Sequence, residues 1–262
     1  MTDYHSLIIG KQEIIDLYPD DLILPISSNE KFSILRKLIN QKEYTITASA
    51  GEIDMTKYKP FFNLRRMGDR VLTGAQILRY SITDNPSQGD VVYLDKQYQC
   101  FSEKRKEVIQ NPRIVMQRIT GVDSKRRLVC TYIKSSCLCA NSANYISIDK
   151  SIDYLYLLGV LNSSLINFFV KQTSTNTNIT SQVIASFPII NSHAQVQNHV
   201  SVLVGDILLA KKNGNETIPL QKEKLIDLLI YHLYGLTYDE VLIVDPDTPI
   251  TREEYEKTPI KN

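Results

Sequence analysis

The sequence predicts an α/β fold, a mixed, mostly antiparallel sheet region followed by a C-terminal set of packed helices. Three observations predict it. Strand-like apolar runs recur between turn-forming clusters from about residue 45 to 150. From 151 to 236 the apolar residues fall three and four apart, the spacing of one helix face. The 262 residues are 43% hydrophobic and 23% charged, the composition of a chain that can bury a core.

In chain order, Ile14, Ile15 and Leu17 precede a turn, and Asp21 to Pro25 read as a short extended piece. Lys31 to Asn40 predict a helix with Phe32, Leu35 and Leu38 on one face and Ser28 or Asn29 as its cap. Strands are expected at Tyr44 to Ile46, Val71-Leu72, Val91 to Leu94, Arg113 to Ile119, Arg127 to Tyr132 and Tyr145 to Ile148. Turns fall at Asp84 to Asp90, Asn111-Pro112 and Gly121 to Lys125, the last joining two strands as a hairpin. Tyr154, Leu157, Leu158, Leu161, Leu165, Phe168 and Phe169 form one wide apolar stripe with Ser151 as N-cap. Thr173 to Ser181 carries short hydrogen-bonding side chains and reads as an exposed loop, and Phe187-Pro188-Ile189 as extended chain. Helices follow at Gln195 to Lys212 and Gln221 to Tyr234, the latter stopped by Gly235. Thr237 with Glu240 and Thr251 with Glu254 fit capping boxes. The expected division is 1–44, a connector or sub-domain; 45–190, the sheet-bearing domain; and 191–262, a helical region.

The net charge is only +1, but it is unevenly placed. Lys57 to Lys134 holds 16 Lys and Arg against seven Asp and Glu, while Glu216 to Asn262 holds five against ten. A uniformly basic coat is excluded; a basic face suited to phosphates is not. If the two segments meet in the fold, their charges cancel instead. The N-terminus lacks the basic start and apolar stretch of a signal peptide, and no apolar run approaches the ~18 residues of a membrane span. A cytoplasmic protein with no membrane partner is therefore expected, with Cys100, Cys130, Cys137 and Cys139 as free thiols.

No nucleotide-phosphate loop, no metalloprotease helix motif and no nucleophile elbow is present. Cys130, Cys137 and Cys139 lack the second pair of a zinc site. His193 and His199 are spaced for different helix faces. Glu52 and Asp54 read as charged turn residues, with weak metal ligation as the alternative. No self-sufficient active site and no metal site emerges.

Several segments, in order, resemble one family, the TaqI-like C-terminal specificity (target-recognition) domain of adenine-specific DNA methyltransferases and type II restriction-modification enzymes. They are Gly51-Glu52-Ile53-Asp54, Val71 to Tyr80, Asn111 to Arg118, Ser142 to Tyr145, Tyr156 to Phe168, Phe187-Pro188-Ile189, and Leu225 to Glu240. The helix Tyr-Leu-Leu-Gly-Val-Leu-Asn-Ser-Ser-Leu-Ile-Asn-Phe over 156–168 is the most specific. The resemblance covers about 45–244 and makes 45–190 the expected target-recognition domain. It departs where the family's methyltransferases carry (Asp/Asn)-Pro-Pro-Tyr: Asn85-Pro86 and Asn111-Pro112 do not continue that way.

The resemblance implies a DNA-recognition module, not an enzyme by itself. Its implied partners are double-stranded DNA and a methyltransferase or endonuclease catalytic domain or subunit. No cofactor is expected in this chain; S-adenosylmethionine would sit on the catalytic part. Arg reads guanine and Asn or Gln reads adenine through paired hydrogen bonds, while Lys and Arg hold phosphates. The candidate DNA-binding residues are Arg79, Lys104, Arg105, Lys106, Arg118, Lys125, Arg126 and Arg127, with Thr175, Asn176 and Asn178 of the 173–181 loop. The alternative is an interaction scaffold whose C-terminal helices dock on a catalytic subunit with little DNA contact.

Overall fold

Two four-stranded sheets and a short hairpin account for the strands in the computed structural model, which describes residues 9–19, 28–95, 101, 103–134, 137–147 and 152–258. The first sheet orders β1 (Ala48–Ala50), β10 (Ala143–Ser147), β7 (Arg113–Gln117) and β8 (Cys130–Ile133), antiparallel throughout. The second orders β2 (Phe62–Asn63), β6 (Val92–Leu94), β3 (Asp69–Leu72) and β9 (Cys137–Cys139), parallel only between β3 and β9. Arg79 and Tyr80 form the two-residue turn between β4 (Ile77–Leu78) and β5 (Ser81–Ile82), with Tyr80 at φ 60°.

The strand period of two sorts the core into layers. On β7, Ile114 and Met116 face the main core while Val115 faces a second one. That second core lies between the sheets, where Leu72 of β3 and Cys139 of β9 meet Val115 and Tyr145. Val71 and Leu138, one residue earlier on the same two strands, join Ile53, Leu94 and Phe101 in a third cluster. The order is therefore helices, first sheet, second sheet.

The helices are α1 (Lys11–Leu17), α2 (Asn29–Ile39), α3 (Glu103–Gln110), α4 (Tyr154–Asn162), α5 (Ser164–Thr173), α6 (Ser181–Ser186), α7 (Ala194–Lys212), α8 (Thr217–Leu233), α9 (Tyr238–Val244) and α10 (Arg252–Lys257). The main core draws on Leu17, Leu35, Ile114, Leu161, Val204, Ile230 and Tyr255, so all three expected segments share it. Ser28 caps α2, both capping boxes form, and Gly235 takes φ 61° after α8.

Several expectations are corrected. The Leu/Phe stripe is two helices, α4 and α5, bent by 59°. The break falls at Ser163, whose hydroxyl accepts from the Ile166 N–H and so starts a new helix. The preceding Asn162 turns its side chain away to β8. Asp153 caps α4, accepting from the N–H of Leu155 and Tyr156; Ser151 lies outside the described residues. Tyr44 pairs with Ile189 as an isolated bridge, and β1 begins further on. The helix expected from Gln221 starts at Thr217, with Pro219 in its first turn, where its missing N–H costs nothing. Sequence reading missed α6. The extended piece at Asp21 to Pro25 and Cys100 lie outside the described residues. Among the described residues no single helix is long and apolar enough to cross a membrane.

Candidate nucleic-acid interface

The candidate surface is built where β7 ends. Beyond Gln117 the chain pairs with a segment nearly sixty residues later. The Thr120 N–H donates to the Thr177 carbonyl at 2.9 Å, and the Ile179 N–H to the Arg118 carbonyl at 2.8 Å. Ile119 bridges Asn178 in an antiparallel pair. The Arg118 N–H reaches the Ser142 carbonyl at 3.1 Å, and its guanidinium the Asn141 carbonyl at 3.2 Å. Three loops, at 118–127, 141–142 and 174–178, are thus fastened side by side.

Arg127 braces them from below. Its side chain is fully buried, donating to Thr120 Oγ1 at 3.1 Å, the Ser174 carbonyl at 3.0 Å and the Asn176 carbonyl at 2.5 Å. Asn167 of α5 pins the same connection, accepting from the Arg127 N–H at 2.8 Å and donating to the Lys125 carbonyl at 3.1 Å. The loops hold their shape through buried polar bonds, which leaves outward side chains free. Lys125, Thr175, Asn176 and Thr177 are exposed, and Asn178 and Arg118 half-buried. Asn176 Oδ1 accepts from the Asn178 N–H at 3.0 Å, which orients its amide. Ile119 is 59% exposed beside them.

Three expected contact residues are corrected, because their guanidinium groups serve the interior. Arg127 is the brace just described. Arg79 donates to Glu223 Oε2 at 2.9 Å and to the Asn162 carbonyl at 2.8 Å. Arg126 donates to Ser164 Oγ at 3.1 Å, and burial together with the nearby Arg79 lowers its pKa from the ordinary value. Ser164 in turn donates through N–H and hydroxyl to the buried Asp227, at 2.7 and 2.8 Å. Burial raises the Asp227 pKa, opposed by Arg126 and the Ser164 bonds. Lys125 and Arg126 also line a cavity of about 250 Å³ with Lys171, Asp245 and Asp247. The acidic C-terminal region therefore does meet part of the basic middle.

Lys106 is exposed on α3, which leads into one end of β7 while Arg118 leaves the other. The side chains of Lys104 and Arg105 lie outside the described residues. The structure thus brings Arg118 beside Asn178, with Thr175 and Asn176 on the same loop, whereas Lys125 lines the cavity with Asp245 and Asp247. Sequence reading missed Asn141, Ile119 and Lys171; none lies in a charged run or motif that would have flagged it.

The motif residues have structural work. Glu52 is buried and corrected from a turn residue: its carboxylate pairs with Arg113 at 2.9 and 3.3 Å and accepts the Cys139 N–H at 2.8 Å. A Cβ on Gly51 would stand 2.0 Å from the Ala140 carbonyl oxygen, so only glycine fits. Asp54 does cap a turn, accepting from the Thr56 and Lys57 N–H. Asn162 bonds both the N–H and the carbonyl of Cys130, at 3.1 and 3.0 Å. Burial pushes the Cys130 and Cys139 thiols up, and no metal-holding cluster of His, Cys, Asp or Glu is found among the described residues.

Residues 69–189 match the family model of the TaqI-like C-terminal specificity domain. No curated protein matches the chain. Among solved structures, the type IIL restriction-modification enzyme MmeI in complex with DNA aligns at TM-score 0.53 and 10% identity, over 82% of this chain and 36% of that one. The HsdS subunit from Thermoanaerobacter tengcongensis aligns at 0.40 and 10%, over 79% and 51%. The type IIG restriction endonuclease BpuSI aligns at 0.42 and 11%, over 85% and 34%. The chain spans about a third to a half of the length of these solved chains. The likeness to MmeI is one of fold.

Proposed function

We propose, on the premise that residues 69–189 form a TaqI-like C-terminal specificity domain, that this chain recognises a short sequence in double-stranded DNA for a restriction-modification system. Methyl transfer or cleavage, and S-adenosylmethionine, belong in this reading to a catalytic domain or subunit outside it. The observation that carries it is the fastening of the 118–120 and 177–179 segments, which sets Arg118 beside an exposed Asn/Thr loop. Arg118 and Lys125 supply phosphate contacts that position; Thr175, Asn176 and Asn178 supply hydrogen-bonding groups for base edges. Asn is suited to adenine, where it makes two bonds at once. Lys106 extends the cationic surface from α3, with Lys104 and Arg105 on the same helix.

Selection from a random duplex pool, followed by substitution, tests this. Asn176→Ala should relax preference at one base pair, by about 1–3 kcal/mol of discrimination if it makes a paired contact. Lys125→Ala should weaken all duplexes alike and reduce the salt slope by about 1. A pool that yields no preferred sequence would overturn the reading.

A second reading is favoured by the outer surface of α7 and α8, where Val202 is 56%, Leu209 60% and Leu220 69% exposed. Those helices would dock on a methyltransferase or endonuclease subunit. If pure chain shifts duplex DNA only after such a subunit is added, docking is its main role.

A further inference from the structure

The loop from Leu64 to Gly68 lies just before the family-matched residues. It must step backwards. Asn63 on β2 stands opposite Tyr93, whereas Asp69 on β3 stands opposite Leu94, so five residues carry the chain across β6. The Asn63 side chain makes this possible. Its Oδ1 accepts from the N–H of Arg65 at 3.0 Å and of Met67 at 3.2 Å. Its Nδ2 donates to the carbonyls of Met67 at 2.9 Å and Tyr93 at 3.2 Å. Gly68, at φ 89°, brings the loop so close to β6 that a Cβ would lie 2.1 Å from the Leu94 carbonyl oxygen. Arg66 takes φ 59°, unusual for a residue with a side chain.

The loop is therefore held by Asn63 and Gly68, without help from the four side chains it displays. Leu64 is 66% and Met67 57% exposed, and Arg65 and Arg66 are exposed between them. Neither arginine has a side-chain hydrogen bond or ion pair among the described residues. From Met55 to Gly68 the chain has four Lys or Arg and no Asp or Glu. This differs from Lys125 and Arg126, which share their cavity with Asp245 and Asp247. An ordered cationic loop flanked by apolar side chains suits a polyanion with hydrophobic crevices: arginines meet phosphates or groove edges, while apolar wedges press between base steps. Order in advance reduces the entropy lost on contact.

We propose that Leu64 to Met67 is a second DNA-contacting element, separate from the 118–127 and 174–178 loops. Arg65 and Arg66 hold the backbone or groove, and Leu64 and Met67 contact the bases. This rests on the DNA-recognition reading above.

The test is binding of a mixed-sequence DNA duplex by the full chain across a salt titration, with the unfolding midpoint followed in parallel. The first variant is Arg65→Ala with Arg66→Gly, glycine because it accepts the left-handed conformation. It should keep its midpoint, bind more weakly, and show a salt slope shallower by about 1 for each arginine. Leu64→Ser with Met67→Ser should weaken binding while keeping the slope. Arg118→Ala with Lys125→Ala is the reference. If that reference weakens binding but both loop variants bind like the unaltered chain, the loop is overturned and the main reading stands. If the unaltered chain shows no salt-dependent duplex binding, both fall.

Discussion

The two ends of β7 carry the same residue type in opposite circumstances. Arg113 at one end is 1% exposed, paired with Glu52, bonded to the Cys137 carbonyl at 2.6 Å and packed over Tyr145. Arg118 at the other end is half-buried, bonded to one carbonyl, and opens onto the loops that hold Lys125 and Asn176. The first end is sealed between the sheets; the second leaves them. Charge in the sealed region builds the fold, and charge in the open region remains available to a ligand. Composition alone does not separate the two.

The largest effect expected breaks the sealed end. Arg113→Leu leaves the Glu52 carboxylate buried without its partner, which costs about 3–5 kcal/mol. Denaturant midpoints check it, and Arg113→Leu combined with Glu52→Leu should recover much of the loss. A single variant as stable as the parent would mean that the sealed end is not sealed.

Next comes the brace between the regions. Arg127→Met removes the donors to Thr120, Ser174 and Asn176, leaving buried acceptors unmet at about 1–3 kcal/mol. Because it shapes the open loops from inside, it should also erode sequence preference in DNA binding, beyond the loss of folded protein. Lys125→Ala, by contrast, should shift stability by no more than about 0.5 kcal/mol while weakening DNA binding. That pair of measurements sharpens the division: one variant moves both readouts, the other only one.

Much of the fold was legible in the sequence because local rules acted locally. Thr237 with Glu240 and Thr251 with Glu254 needed only the spacing of a capping box, and Ser28 only its place before an apolar run. The break at Ser163 was less visible, since apolar spacing continued across it. Its cause is distant: Asn162 is drawn to the backbone of β8. The site was half legible. Of the loop expected over Thr173 to Ser181, residues 175–177 are exposed as composition implied, whereas Thr173, Ser174 and Ile179 are buried and Ser181 starts α6. Lys125, Arg126 and Arg127 are three adjacent cations whose fates differ through partners on α5, α8 and the 174–178 loop, none of them near in sequence. Asn167 held a clue, because an Asn amid Leu, Ile and Phe on an apolar helix must find backbone partners.

The smallest effects concern pH, and a buried and an exposed carboxylate should differ in sign. Asp227 belongs to the sealed interior, and burial raises its pKa above the ordinary 3.8. The folded state then holds the proton more tightly than the unfolded chain. Its contribution is fully present below the unfolded value and is lost as pH rises through the folded one. Asp227→Asn should remove that part of the decline, which sets in above 3.8. Glu254, at the surface, bonds Lys224 and the Thr251 N–H, which bring its pKa down to about 2. Its contribution is present above the ordinary 4.5 and fades as pH falls towards about 2. Unfolding midpoints across pH should therefore show Glu254→Gln converging on the parent in acid, and Asp227→Asn differing from it increasingly as pH rises. Convergence of both variants at the same end of the range would mean that Asp227 is not desolvated, and that the Arg126, Ser164 and Asp227 cluster is open to water as the 175–177 loop is.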